Sequence, residues 1–179
     1  MNDARHEVLD AVVVGAGFAG LYALHELRTR GLKVRVFEAA PEVGGTWYYN
    51  RYPGARGDVE SVDYSYSFSR ELEQEWNWSE KYATQAEILR CLNWVNDKLD
   101  LRRDVTFETR VTSAVLDEDS LQWTVRTDTG EQVRARFCIM ATGPLSAALT
   151  PDFNGVNTFG GDVYITAVAL PVDAGSTQR

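Results

Sequence analysis

The chain has 179 residues and a formal charge of −8, with 44% hydrophobic and 25% charged residues. That is globular composition for one domain of ordinary size, with or without a tail. The acidic balance argues against nucleic-acid or anionic-membrane partners, which need basic surface, and no apolar run approaches the roughly 20 residues that span a bilayer. The opening MNDARHEVLD has neither the basic nor the apolar region of a signal peptide, so a cytoplasmic protein is expected. Cys91 and Cys138 form no CxxC pair and read as buried thiols. With His6 and His25 as the only histidines, a histidine metal cluster or a Ser-His-Asp triad is disfavoured, and no metal site is expected.

The first elements read strand, turn, helix, strand. Ala11 to Val14 is a continuous apolar run, as a buried parallel strand should be. Gly15 to Gly20 follow, then Leu21, Leu24 and Leu27 near helical spacing, with Gly31 placed to end the helix. Val34 to Glu38 is the second strand, and the whole unit fits the roughly 30 residues of a βαβ motif. From Ala39 to Arg70 glycine, proline and aromatic residues predominate. Such a long irregular stretch in a compact domain is usually functional or disordered, and its many aromatic side chains argue for order. Thr84 to Leu101 reads as a helix, capped by Thr84 with Glu87 reaching back. Short strands are expected around Val105–Glu108, Arg110–Leu116, Leu121–Thr127 and Gln132–Arg136, and another buried parallel strand over Phe137–Ala141. The fold class is α/β: a Rossmann-type domain with a parallel sheet and a small antiparallel β insertion.

Gly15-Ala16-Gly17-Phe18-Ala19-Gly20 is G-x-G-x-x-G between a strand and a helix, the context that gives the motif meaning. Gly15 permits the tight turn, Gly17 admits a pyrophosphate and Gly20 allows close helix–sheet packing. The helix start offers free N–H groups to phosphate. Glu38, about 20 residues on, is placed to accept the hydroxyls of an adenosine ribose and to repel a 2′-phosphate, which favours FAD or NAD over NADP. Gly44-Gly45-Thr46-Trp47 follows the second strand where a plain NAD domain would enter a helix. Ala141-Thr142-Gly143 closes the late strand. Both tilt the choice to FAD, although small residues at a strand end are also ordinary packing.

Gly44-Gly45-Thr46-Trp47-Tyr48-Tyr49-Asn50-Arg51-Tyr52-Pro53-Gly54-Ala55-Arg56, then Asp58-Val59-Glu60-Ser61, resembles the N-terminal FAD domain of Baeyer–Villiger monooxygenases. Tyr64 to Ser69, Glu75 to Trp78 and Lys81 to Gln85 look most like the phenylacetone and steroid branch, and the likeness runs from about Asp10 to Tyr164. The resemblance implies FAD, reduced by NADPH, and oxygen insertion beside a small-molecule ketone to give an ester or lactone. It also implies roles. Trp47 lies along the flavin with Gly45 and Thr46, and Asp58 sits near the reactive edge as the catalytic candidate. Arg56, Gly57 and Asp58 approach flavin and nicotinamide, and Tyr64, Val111, Thr142 and Gly143 contact FAD. Tyr64 is equally readable as core packing, and Asp58 as an Asx-turn residue. Family members often carry Cys at the position of Gly57. An N-hydroxylating or flavin-containing monooxygenase, and a non-catalytic FAD-binding remnant, are the rival readings.

The family signature F-x-G-x-x-x-H-x-x-x-W is matched at Phe159 and Gly161. Its His and Trp positions hold Ile165 and Ala169. Residues 1–150 are therefore expected to form the FAD-binding domain, and 151–179 a divergent remnant of the link to an NADPH domain. A truncated or frame-shifted copy, inactive alone, is the expectation. Asn77-Trp78-Ser79 is a glycosylation sequon without other signs of secretion, and Trp76, Trp78 and Trp94 read as packing residues.

Overall fold

A computed structural model describes residues 8–145 and 152–161. Strand β1 (Leu9–Val14) runs into helix α1 (Phe18–Thr29) and returns as β2 (Val34–Phe37). A short helix α2 (Thr46–Tyr49), a 3₁₀ turn (Ser61–Tyr64), α3 (Arg70–Glu75) and α4 (Gln85–Lys98) follow. After a second 3₁₀ turn (Arg102–Asp104) come β3 (Val105–Thr106), β4 (Val111–Asp117), β5 (Gln122–Thr127) and β6 (Gln132–Met140), and a last 3₁₀ turn spans Val156–Thr158.

The six strands among the described residues form one sheet in the order β3-β2-β1-β6-β5-β4. β3, β2, β1 and β6 are parallel, and β5 and β4 continue the sheet antiparallel. The expected antiparallel insertion is thus an extension of the same sheet. The two strands expected over Gln132–Arg136 and Phe137–Ala141 are one long β6. Its first half pairs with β5 from Gln132 to Ala135, and its second half pairs with β1 up to Met140. The apolar pattern changes along it because its neighbour changes, not because the strand ends.

Burial follows the expected patterns. Val13, Leu21, Leu24, Val36, Ile88, Leu92 and Leu101 share one core cluster that joins sheet, α1 and α4. Val12, Phe37, Val125 and Ala135 form a second. Leu72, Cys91 and Val95 form a third, backed by Trp76, Trp78 and Trp94, which accordingly pack rather than present a stacking surface. The aromatic-rich stretch after β2 is held by a chain of rings: Tyr64 and Tyr66 lie 5.6 and 5.3 Å from Phe18, and Phe68 lies 4.7 Å from His25. The Tyr66 hydroxyl donates to the Phe18 carbonyl at 2.8 Å.

One local reading changes. Thr84 caps α4 by accepting from Glu87 N–H at 3.3 Å. The Glu87 carboxylate does not reach back, because it is buried and accepts from the Ser79 N–H at 2.9 Å and hydroxyl at 2.7 Å. This also occupies the sequon's serine. Helix α3 has no periodic apolar face to announce it; Ser69 caps it, accepting from Leu72 N–H at 3.3 Å. Cys91 is buried and Cys138 half-buried, both as free thiols. No described helix is long and apolar enough to cross a membrane. Among the described residues no group of three or more His, Cys, Asp or Glu is placed to hold a metal. Ile165, Ala169 and Tyr164 lie outside the described residues.

Candidate dinucleotide site

In a parallel α/β sheet, ligands bind beyond the carboxyl ends of the strands where the chain departs to opposite sides. β1 is such a point here, with β2 on one side and β6 on the other. A cleft of about 590 Å³ opens there, lined by the strand ends Val14, Phe37 and Met140.

Glycine turns form its floor. Gly20 lies so close to the turn that an added Cβ would stand 1.9 Å from the Gly15 carbonyl oxygen. Nothing larger lets α1 start against the sheet. Gly17 faces Gly45: a Cβ on Gly45, at φ +53°, would come within 3.0 Å of Gly17 Cα. The two turns therefore meet backbone to backbone, and Gly44 N–H donates to the Ala16 carbonyl at 3.0 Å.

Helix α1 begins without a capping side chain and without an acidic residue in its first turn, whereas Ser69 and Thr84 cap α3 and α4. Its first backbone bond runs from Leu21 N–H to Gly17 carbonyl at 3.0 Å. The N–H groups of Phe18 and Ala19 precede that bond, and both residues line the cleft. The helix presents its positive end to the cavity with nothing of its own to neutralise it.

Glu38 is 5% exposed. One carboxylate oxygen accepts from Ala16 N–H at 2.6 Å and the other from Ala40 N–H at 2.8 Å. A carboxylate has about four acceptor sites, so lone pairs are left for a ligand in the cleft that Glu38 also lines. The side chain therefore ties the Gly turn to the end of β2 as well as facing the cavity.

Of the residues singled out from sequence, Gly15, Gly17, Phe18, Ala19, Glu38, Gly45, Thr46, Trp47, Val111, Thr142 and Gly143 come together around this cleft. Ala16 and Gly20 do not line it; they serve the turn, through the Glu38 bond and the close approach to Gly15. Arg56, Gly57, Asp58 and Tyr64 do not line it either. Arg56 and Asp58 are exposed, and the Arg56 guanidinium pairs with Glu80 at 3.1 Å. Tyr64 touches the cleft only through its neighbours, with its ring 5.4 Å from that of Trp47. Burial, then the Asp58 charge, raises its phenol above the usual value. Gly57 accommodates that ring: a Cβ would stand 2.8 Å from Tyr64 Cε2.

Tyr49, Thr109 and Arg110 line the cleft without having been singled out. Burial raises the Tyr49 phenol, the Glu38 charge adds to this and Arg110 opposes it. The available signal was adjacency: Tyr49 closes the Trp-Tyr-Tyr run and Arg110 precedes Val111.

Residues 13–82 match the model of the NAD(P)-binding Rossmann-like domain. The chain is 52% identical over 159 residues to an acetone monooxygenase (methyl acetate-forming) of Gordonia sp. (strain TY-5), covering 89% of this chain and 30% of that protein. It is 49% identical to a Baeyer–Villiger monooxygenase of Pseudooceanicola batsensis (88% and 29% covered) and 46% identical to a phenazine N-monooxygenase of Lysobacter antibioticus (96% and 31% covered). An oxidized steroid monooxygenase bound to NADP superposes with a TM-score of 0.81 at 67% identity, covering 90% of this chain and 31% of that one. The chain thus spans about a third of the length of these relatives. A Rossmann match, high identity to named monooxygenases and a shared fold agree: the chain carries an NAD(P)-binding Rossmann-like domain and is similar to the dinucleotide-binding part of Baeyer–Villiger monooxygenases.

Proposed function

We propose that this chain is the FAD-binding part of an NADPH-dependent monooxygenase that converts ketones to esters or lactones. The observation that carries the proposal is the cleft at the ends of β1, β2 and β6, where an uncapped helix start and the Glu38 carboxylate face one cavity. Those residues fit the ADP half of FAD. Gly15, Gly17 and the α1 N–H groups hold the diphosphate, Glu38 accepts the ribose hydroxyls, and Val111 with Tyr49 borders the adenosine. Gly45, Thr46 and Trp47 continue the wall towards the flavin, and Thr142 with Gly143 closes the opposite side.

The chemistry supplied by bound FAD is acceptance of hydride from NADPH and activation of dioxygen for transfer to the ketone. The chain's own contribution is binding and orientation. Trp47 is 9% exposed and supplies a rigid apolar wall that excludes water on its side. Asp58 is the proposed carboxylate near the reactive edge, where it would help orient an arginine, and Arg56 and Asp58 are the proposed groups facing the nicotinamide. Residues 1–150 form the FAD domain in this reading, and 151–179 are a divergent remnant of the link to an NADPH domain; the location is cytoplasmic.

The phenazine N-monooxygenase likeness favours a second reading, oxygen transfer to a ring nitrogen. Both readings require the same cofactor site. Titration of the purified chain with FAD, NAD and NADP, followed by flavin fluorescence or calorimetry, tests it. FAD is expected to bind tightest, and preference for NADP would overturn the assignment.

A further inference from the structure

Helix α2 is a single turn and carries Trp47 on the cleft wall. Its last carbonyls find their partners differently. The Thr46 carbonyl accepts from Asn50, through its N–H and its side-chain amide, both at 2.9 Å. The Tyr48 carbonyl accepts from Arg51 Nε at 2.6 Å. Both partners belong to the same segment. The Trp47 carbonyl instead accepts from the side-chain amide of Gln85, at the start of α4. The backbone N–H of the same Gln85 donates to the Ala55 carbonyl at 2.9 Å. Ala55 opens the loop that carries Arg56, Gly57 and Asp58. That loop is fastened to the same stretch by Gly57 N–H donating to the Ala83 carbonyl at 2.9 Å and by an antiparallel bridge between Arg56 and Thr84.

We infer that Gln85 is a positioning residue for the cofactor site: its side chain fixes the Trp47 wall and its backbone fixes the Asp58 loop, so both keep one spacing relative to α4. A single-turn helix cannot hold itself, since nucleation costs more than its few bonds return. Its orientation must come from outside. Leu89, one turn further along α4, supplies the packing half of that support: a Cβ on Gly44 would meet its Cδ1 at 2.5 Å. Gln85 supplies the directional half, because a hydrogen bond sets an angle as apolar contact does not. The inference rests on the reading of the cleft as an FAD site, and it adds a residue that does not line that cleft.

The test uses the whole chain with Gln85→Met, which keeps length and helix propensity but donates nothing, and Gln85→Lys, which restores a donor on a longer stem. Bound FAD is followed by its visible circular dichroism and its affinity by fluorescence. In Gln85→Met the dichroism of bound FAD is expected to change shape and the affinity to fall about three- to tenfold, with Gln85→Lys recovering part of both. Hydrogen exchange of the unliganded chain, read over residues 44–50, is expected to quicken in Gln85→Met and to recover in Gln85→Lys. Unchanged dichroism and exchange in Gln85→Met would overturn the inference. If the parent chain binds no FAD, the cofactor reading fails and the exchange result alone decides the role of Gln85.

Discussion

Glu38→Ala separates a ligand from a clamp. As a ligand alone, Glu38 would matter only when FAD is present. Its loss would cost a charge-assisted bond of about 1.5–3 kcal/mol, roughly a tenfold to hundredfold weakening. The structure adds a cost before any ligand arrives. Bonds of 2.6 and 2.8 Å from Ala16 and Ala40 end on this carboxylate, in a side chain 5% exposed. Removing it strands two donors, each costing about 1–3 kcal/mol if left dry. Water entering the space vacated by the side chain offsets part of this, which leaves about 2–4 kcal/mol. For a chain of this length that lowers the melting temperature by about 4–16 °C. Glu38→Gln should fall between, because its oxygen still accepts one N–H while its amide faces the other donor. Differential scanning calorimetry of the unliganded variants, beside FAD titration, reads both effects. An unliganded Glu38→Ala chain that melts within about 1 °C of the parent would refute the clamp.

Gly20→Ala should abolish soluble folded chain, because its Cβ meets backbone oxygen at 1.9 Å; Gly31→Ala, with nothing within 4 Å but φ +75°, should cost only about 1 kcal/mol in a urea titration. Arg110→Ala should weaken FAD about three- to tenfold with little change in melting, and the difference from the parent should shrink as salt rises from low to about 0.5 M. Burial pushes the Cys91 thiol up to about 12. Above about pH 9 the unfolded chain sheds a proton that the folded chain keeps, so the stability this thiol contributes is full below pH 9 and falls towards pH 12; Cys91→Ala should show a shallower alkaline loss in urea midpoints. In a longer relative carrying this part, Asp58→Ala should retain FAD while ester formation falls at least tenfold. Loss of FAD in proportion to activity would instead mark Asp58 as a turn residue.

The parallel strands, α1 and α4 were legible because each buries a face with its own period: a continuous apolar run for β1, and Ile88, Leu92 and Val95 at helical spacing for α4. The Gly turn was legible because close backbone approach leaves little choice of residue at Gly15, Gly17 and Gly20, and Glu38 because of its fixed distance from that turn. What escaped depends on partners remote in sequence. β6 reads as two strands because its neighbour changes from β5 to β1 midway. Glu87 has the spacing of a capping box, but Ser79 takes both its oxygens, a competition no local pattern records. Tyr49 reaches the cleft from the single-turn α2, held by α4, and Arg110 from the residue before β4, and neither has a spacing rule of its own.

The same reasoning explains why Asp58 and Trp47 differ as sequence-derived candidates. Trp47 has a wall to belong to: it is buried, it packs on Tyr64 at 5.4 Å, and its carbonyl is tied to α4. Asp58 is exposed on a loop whose neighbours Ala55 and Gly57 are anchored by backbone bonds of 2.9 Å to residues 83–85. The fold therefore fixes the loop and leaves the carboxylate itself facing outward. A residue that served only to make the turn would bond its own backbone, as Asp117 does by accepting from the N–H groups of Asp119 and Ser120 at 3.0 and 3.2 Å. Among the described residues the Asp58 side chain accepts no such bond. The anchored loop thus fixes where the Asp58 carboxylate stands without assigning it a task, and its proposed role at the flavin edge rests on the Asp58→Ala test.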